Sequence, residues 1–167
     1  MASTAQIVRS NKTKMSIDER VREFFEIIHP LGFDAHEESD NAIYMKPNGN
    51  YEKGVRVWVD QEDYPMFTVN GKKYYREVFF DFIWDDERHG IESMNSDMIL
   101  AITAEYMKKY PDALFQYEWS SDESPFFDKR DIETIISQPF QPGWYYLFRS
   151  QLHVKALDKY HDEWILE

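Results

Sequence analysis

The sequence predicts an α+β fold, because helical and strand patterns follow one another along the chain without an internal repeat. Three observations support this fold class. A helix with a capping signal stands near the N-terminus, an Asn70-Gly71 pair joins two β-rich runs, and two helical patterns flank a strand in the second half. We expect an N-terminal helix, an antiparallel β-meander of about four to five strands, a helix-strand-helix unit and a helical C-terminus.

The first helix is indicated by a capping box, in which Ser16 and Glu19 each satisfy a free backbone donor. Apolar residues then recur at helical spacing, and Pro30 with Gly32 ends the segment. The apolar positions are Ile17, Val21, Phe24, Phe25 and Ile28. The preceding residues 1–15 contain bases and no acid, so we expect a flexible basic tail there.

The meander is predicted from four runs of strand-forming residues. Residues 33–46 indicate two short strands around a Ser-Asp-Asn turn, and residues 54–61 alternate valines with polar or aromatic residues. Asn70 and Gly71 then form the strongest short-range hairpin signal. The second arm, residues 72–84, carries too many large side chains for one face, so we expect it to be bulged or buried on both sides.

In the second half, Ser96 is a candidate cap for a helix over 97–110 with one apolar stripe. Residues 113–119 are a strand by composition, and Asp128 caps a short helix over 129–138. The segment after it fits both periods, but strong helix formers favour a helix from about residue 149. No linker divides the chain, so we expect residues 16–167 to be a single α+β domain.

The charge balance argues against nucleic acids and anionic membranes as partners. The chain has 31 acids against 19 bases, a net charge of −12, which repels nucleic-acid phosphates and anionic membranes and attracts a basic protein. The alternative is that the acidity serves solubility alone. No cysteine, no long apolar run and no secretory signal occur. We expect a cytoplasmic protein with a basic protein partner and no nucleic-acid or membrane partner.

One acidic cluster suggests a metal site. In "FFDFIWDDERHG", residues 79–90, Asp81 and Asp85 have the same parity on a strand and His89 follows in the turn. His36 lies beside a second acidic cluster and is a further candidate ligand. The alternative, which the sequence favours, is a solvated loop at the end of a buried strand. Phosphate-binding loops and nucleophile motifs are absent, so we expect no cofactor.

The segment 112–133 is the best candidate for a binding surface, because seven acids and two bases are interleaved with aromatic residues. The candidate contact residues are Tyr117, Glu118, Trp119, Asp122, Glu123, Phe126 and Phe127. The alternative places Tyr117 and Trp119 in the core and uses Phe126 or Phe127 as a hydrophobic staple.

These features predict a non-enzymatic, acidic protein-binding domain. In size and charge the chain resembles bacterial immunity proteins as a class, which implies an inhibitor that neutralises a basic partner such as a nuclease toxin. One alternative is a structural or adaptor domain of a bacterial or phage assembly. Another is a metal-dependent hydrolase that uses Asp81, Asp85 and His89.

Overall fold

The computed structural model describes residues 3–11, 14–38, 41–47, 51, 53–59, 65, 67–84, 94–118, 126–137 and 162–164. This part of the chain has the expected mixed α+β fold, with an antiparallel sheet and three α-helices. The helices are α1 (Ile17–Ile28), α2 (Met94–Lys109) and α3 (Lys129–Ile135), and a short 3-10 helix spans His29–Leu31. The strands are β1 (Ser3–Arg9), β2 (Asp34–Glu37), β3 (Ile43–Lys46), β4 (Val55–Trp58), β5 (Phe67–Val69), β6 (Lys72–Ile83), β7 (Leu114–Glu118), β8 (Phe126–Phe127) and β9 (Asp162–Trp164).

The sheet runs in the order β2-β3-β4-β6-β1-β7-β8, and β5 and β9 extend it beside the first residues of β6. Every pairing is antiparallel. The strand β6 is 12 residues long, so it pairs first with β5 and then with β1 and β4. The sheet therefore has more strands than the sequence predicts.

The N-terminal strand β1 corrects the prediction of a flexible tail over residues 1–15. Ser3–Arg9 lies between β6 and β7 in the middle of the sheet, and the side chains of its residues 5–9 are buried on both faces. Even Gln6 is fully buried, where its amide nitrogen donates a 2.6 Å hydrogen bond to the side-chain oxygen of Gln116. The partner lies 110 positions away, so no local pattern reveals that this polar residue is internal.

The main core lies between the inner face of the sheet and the helices. It combines strand residues such as Ile7, Val57 and Phe80 with helix residues such as Phe24 and Met98. The helix α1 begins at the predicted cap, because the backbone N–H of Glu19 donates to the Ser16 hydroxyl oxygen. The other half of the predicted capping box differs, because the Glu19 carboxylate accepts from the Ser16 hydroxyl. A buried ion pair joins α1 to the sheet: Arg20 Nη2 lies 2.7 Å from Glu77 Oε2.

The helix α2 differs from its prediction in two ways. It begins at Met94, so Ser96 lies inside the helix and its hydroxyl bonds the Tyr117 hydroxyl at 2.9 Å. Every residue from Met94 to Ala104 is buried, because α2 packs against α1, α3 and β6 rather than presenting one stripe.

Among the described residues, no helix is long and apolar enough to cross a membrane.

Three predictions of local structure are confirmed: a hairpin turn, a bulged strand and a helix cap. Asn70 and Gly71 have φ of 50° and 77° and join β5 to β6 in a two-residue hairpin turn. The strand β6 is bulged at Glu77, where its pairing with β1 shifts register. Asp128 caps α3 by accepting a hydrogen bond from the backbone N–H of Asp131 at 3.0 Å.

The C-terminal prediction is wrong at the residues that the structure describes. Asp162–Trp164 forms β9 and pairs with β5, whereas the sequence predicts a helix from about residue 149. The edge of β5 supplies backbone hydrogen bonds that helix propensity does not take into account. The remainder of that predicted helix lies outside the described residues.

Candidate functional site

The outer face is the side of the sheet opposite the helices, and its exposed part lies on β2, β3, β4 and the second half of β6. One row of directly paired residues crosses these four strands: His36, Tyr44, Arg56 and Asp81. Paired residues of antiparallel strands project to the same face, so the four side chains form one line. His36 and Arg56 are exposed, and Tyr44 and Asp81 are half-buried.

Buried and outward-pointing side chains alternate along β4, which explains why the outer face carries polar and aromatic side chains. Val55 and Val57 are fully buried in the core, so Arg56 and Trp58 point outward. Trp58 pairs with Phe79 of β6, and their ring centroids are 6.3 Å apart. Half-exposed aromatic rings thus lie beside the charged row.

Cations cover part of this aromatic surface. The guanidinium carbon of Arg76 lies 4.5 Å from the centroid of the Phe79 ring, and Arg76 Nε donates to the side-chain oxygen of Gln6 at 3.0 Å. Nearer the sheet edge, Arg56 Nε lies 3.1 Å from Glu38 Oε2. Such exposed pairs stabilise a fold little, about 0–1 kcal/mol each, but they orient the side chains.

A cavity of about 310 Å³ opens at the β3–β4 end of this face, lined by Tyr44, Lys53, Gly54, Arg56 and Trp84. Lys53 Nζ lies 4.5 Å from the centroid of the Trp84 ring, a cation–π contact. The contact is held from behind by the fully buried Asn95 at the start of α2. Its amide nitrogen donates to the backbone carbonyl oxygens of both Lys53 and Trp84.

Gly54 shapes the floor of the cavity. A Cβ at this position would overlap the backbone carbonyl oxygen of Met45 and lie 2.9 Å from the Cγ of Lys46. Because a backbone atom cannot move as a flexible side chain does, only glycine lets β3 and the start of β4 approach this closely.

We therefore expect Gly54→Ala to lower the free energy of unfolding by about 1–3 kcal/mol and to shift the NMR signals of the Tyr44 and Trp84 rings. The control is Gly32→Ala, since a Cβ there meets no atom within 4 Å and adds only the strain of its φ of 69°. Urea unfolding and ring chemical shifts test both variants. Unchanged ring shifts in Gly54→Ala would contradict this role.

The binding segment predicted from the sequence is largely internal where the structure describes it. Tyr117 is 2% exposed, and Phe126 and Phe127 are 0% exposed. These three aromatic rings are core side chains and do not present a surface in this conformation. The backbone of Glu118 ends β7, while Trp119, Asp122 and Glu123 and the side chain of Glu118 lie outside the described residues.

The predicted metal cluster is described only in part. Asp81 lies on β6 opposite Arg56, and Asp85 and His89 lie outside the described residues. His36 is on the same face as Asp81 but three strand spacings away, about 14 Å, with Tyr44 and Arg56 between them. The described residues contain no group of three or more His, Asp or Glu side chains that could hold a metal ion.

Sequence patterns miss the outer-face row because its members come from four different strands. The alternation in residues 54–61 indicates that Arg56 and Trp58 point away from the core. The register that places Tyr44 and Asp81 beside Arg56 depends on strand pairing, which no local pattern sets. Comparison with known proteins found no matching family model, curated protein or solved structure.

Proposed function

We propose that the protein is a non-enzymatic, acidic protein-binding domain of the cytoplasm, an inhibitor or immunity-type protein that binds a basic partner. The observation that carries this proposal is a group of three half-exposed aromatic side chains on the outer face: Tyr44, Trp58 and Phe79. Large rings that stay partly in contact with water beside polar groups are typical of protein–protein contact surfaces. We therefore place the contact surface on the outer face and not on the predicted binding segment, because Tyr117, Phe126 and Phe127 of that segment are internal.

The charge of the whole chain supports a basic partner. A net charge of −12 accelerates the encounter with a positively charged protein at low salt. Exposed acids on α1, Asp18, Glu19 and Glu26, contribute to this field at a distance from the outer face. Among its described residues, the outer face carries the cations Arg56 and Arg76 and the acids Asp81 and Glu38. We expect the aromatic rings to hold the partner and the long-range field to attract it.

The test is a pull-down from the native host with tagged protein, eluted by stepwise salt and identified by mass spectrometry. We expect one stoichiometric basic protein, released over a few hundred millimolar salt. Tyr44→Ala and Trp58→Ala should each weaken its retention by at least about tenfold, the loss of about 1.4 kcal/mol or more that is expected at a central anchor.

Phe25→Ala is the matched control, because this half-buried aromatic residue lies on α1, on the side of the sheet away from the outer face. It should leave retention unchanged. If a basic protein is retained equally by all variants, the outer face is not the contact surface. If no salt-sensitive partner is found and the protein forms a constant oligomer, the structural or adaptor alternative replaces this proposal.

A further inference from the structure

The strand β2 (Asp34–Glu37) stands at one end of the sheet. Within the described residues it pairs with β3 alone, and three of its four residues are exposed. The strand β8 at the other end differs, because both of its residues are 0% exposed. The two ends of the sheet are therefore unequal, and β2 is the end that meets solvent.

The pairing of β2 with β3 shows which backbone groups point outward. The N–H of Glu38 donates to the carbonyl oxygen of Ala42 at 2.7 Å, and the same register continues without a bulge through β2. Because successive residues of an antiparallel strand bond to opposite sides, the even-numbered residues of β2 bond to β3. The N–H and C=O groups of Ala35 and Glu37 therefore point away from the sheet, and no described residue bonds them.

Such a row of outward backbone groups can accept an extended chain as one more strand. An added strand lies about 4.8 Å from β2, with its side chains alternating between the two faces of the sheet. On the outer face these side chains would lie beside His36, whose ring centroid is 5.6 Å from that of Tyr44. The added strand would therefore continue the outer face that carries the half-exposed aromatic rings.

The acids of β2 determine which strand this edge accepts. Glu37 is exposed, and no cation in the described part of the chain lies within 4.0 Å of its carboxylate. Asp34 is 50% exposed and has Lys46 at 3.9 Å, whereas Glu38 is paired with Arg56 at 3.1 Å. Because opposite charges stabilise neighbouring strands, Lys or Arg side chains of an added strand would pair with Asp34 and Glu37.

A second copy of this chain is a poorer occupant of the same edge. Antiparallel pairing of two β2 strands centred on His36 would place Asp34 opposite Glu38 of the second copy. Like charges directly opposite each other destabilise a strand pair. The acids thus oppose self-association and at the same time favour a basic strand.

We propose that the free edge of β2 binds an extended, basic segment of a partner protein as an additional strand. The backbone groups of Ala35 and Glu37 hold the segment, and the carboxylates of Asp34 and Glu37 select its Lys or Arg side chains. This inference rests on the proposed function for the basic character of the partner. It adds the form in which the partner binds, a strand at the edge of the sheet.

The test uses wild-type protein and three pentapeptides with capped ends, followed by NMR of the backbone amides at low salt. Lys-Val-Lys-Val-Lys is basic and can form a strand. Glu-Val-Glu-Val-Glu has the opposite charge, and Lys-Pro-Lys-Pro-Lys keeps the charge but loses two N–H donors. We expect saturable shifts and slower hydrogen exchange at Ala35 and Glu37 with the first peptide, at an affinity at least about tenfold higher than with the other two.

Variants of Glu37 then separate the backbone contact from the charge. Glu37→Pro removes an outward N–H without removing a bond to β3, and it should weaken binding of the basic peptide by about tenfold. Glu37→Gln keeps the N–H and should weaken binding by about two- to fivefold, an effect that high salt removes. Glu133→Gln is the matched control, because this exposed acid lies on α3, which follows β8 at the other end of the sheet.

Three results would overturn the proposal: no saturable shift at Ala35 and Glu37 with the basic peptide, equal binding of either other peptide, or full affinity in Glu37→Pro. Concentration-dependent shifts of the same amides without peptide would assign the edge to a second copy and overturn it as well. Unfolding curves confirm that each variant is folded, and the wild-type titrations decide the question if Glu37→Pro does not fold.

The peptide titrations and the pull-down fail independently. The peptides take the place of the host partner, so their failure leaves the outer face and its ring variants as the contact surface of the proposed function. Failure of the pull-down, with the basic peptide bound at Ala35 and Glu37, removes the proposed host partner and leaves the strand-binding edge established.

Discussion

Arg20→Ala is expected to lower the free energy of unfolding by about 3–5 kcal/mol. The side chain of Arg20 is 8% exposed, and its guanidinium pairs with the carboxylate of Glu77, whose side chain is 0% exposed. Arg20 also donates to the backbone carbonyl oxygens of Val59 and, at 2.8 Å, of Glu77. Truncation therefore leaves a buried carboxylate without its guanidinium and removes the link between α1 and the sheet.

Urea unfolding followed by circular dichroism measures this effect. The matched control is Arg22→Ala, an exposed arginine two positions further along α1, which should change stability by no more than about 0.5 kcal/mol. The double variant Arg20→Met with Glu77→Leu should lose less than Arg20→Ala alone, because no buried charge remains. Equal losses in Arg20→Ala and Arg22→Ala would contradict the importance of the buried pair.

The same pair affects a neighbouring tyrosine. Burial raises the pKa of Tyr106 well above its ordinary value, and the negative charge of Glu77 raises it further, while Arg20 opposes the shift. The phenol is therefore neutral in the folded protein at physiological pH. Its folded pKa exceeds its unfolded pKa, so its contribution to stability is present below about pH 10 and decreases as the pH rises above it.

Phe127→Ala is expected to lower the free energy of unfolding by about 3–5 kcal/mol, the range for removing a buried phenylalanine from a core. Phe127 is 0% exposed, pairs with Phe115 across the β7–β8 ladder and belongs to the main core cluster. The loss combines the transfer of a large ring to water with the cavity that remains.

This experiment separates a core role from the surface-anchor role that the sequence suggests for Phe127. A core residue destabilises the fold when it is truncated, whereas an exposed anchor weakens partner binding and leaves stability unchanged. Phe79→Ala is the control, because Phe79 is half-buried on the outer face and should lose clearly less stability. If Phe127→Ala unfolds at the wild-type urea concentration but no longer retains a partner, the predicted binding segment regains its support.

Local signals predict the elements that depend on a few neighbouring residues. Ser16 and Asp128 cap α1 and α3 because a side-chain oxygen meets a backbone N–H three positions away. Asn70 and Gly71 form the predicted hairpin turn because both tolerate a positive φ. The alternation around Val55 and Val57 likewise matches the burial of β4.

The candidate site could be predicted only in fragments. The sequence indicates that Arg56 faces away from the core, and it singles out Asp81 and His36 as chemically interesting. It does not show that a tyrosine and an arginine separate these two residues, or that Lys53 lies over the ring of Trp84. Those neighbours come from separate segments that strand pairing and the amide of Asn95 bring together.

By itself, then, the sequence determines the fold class, the caps of α1 and α3, the hairpin turn and the acidity of the chain. The tertiary structure alone decides that Ser3–Arg9 is a central strand, that Phe126 and Phe127 are internal, and that Arg20 meets Glu77. The reason is the range of the interactions. Caps and turns depend on bonds between near neighbours, whereas burial and register depend on contacts between separate segments of the chain. These segments lie 12 positions apart for Phe115 with Phe127, 57 for Arg20 with Glu77 and 110 for Gln6 with Gln116.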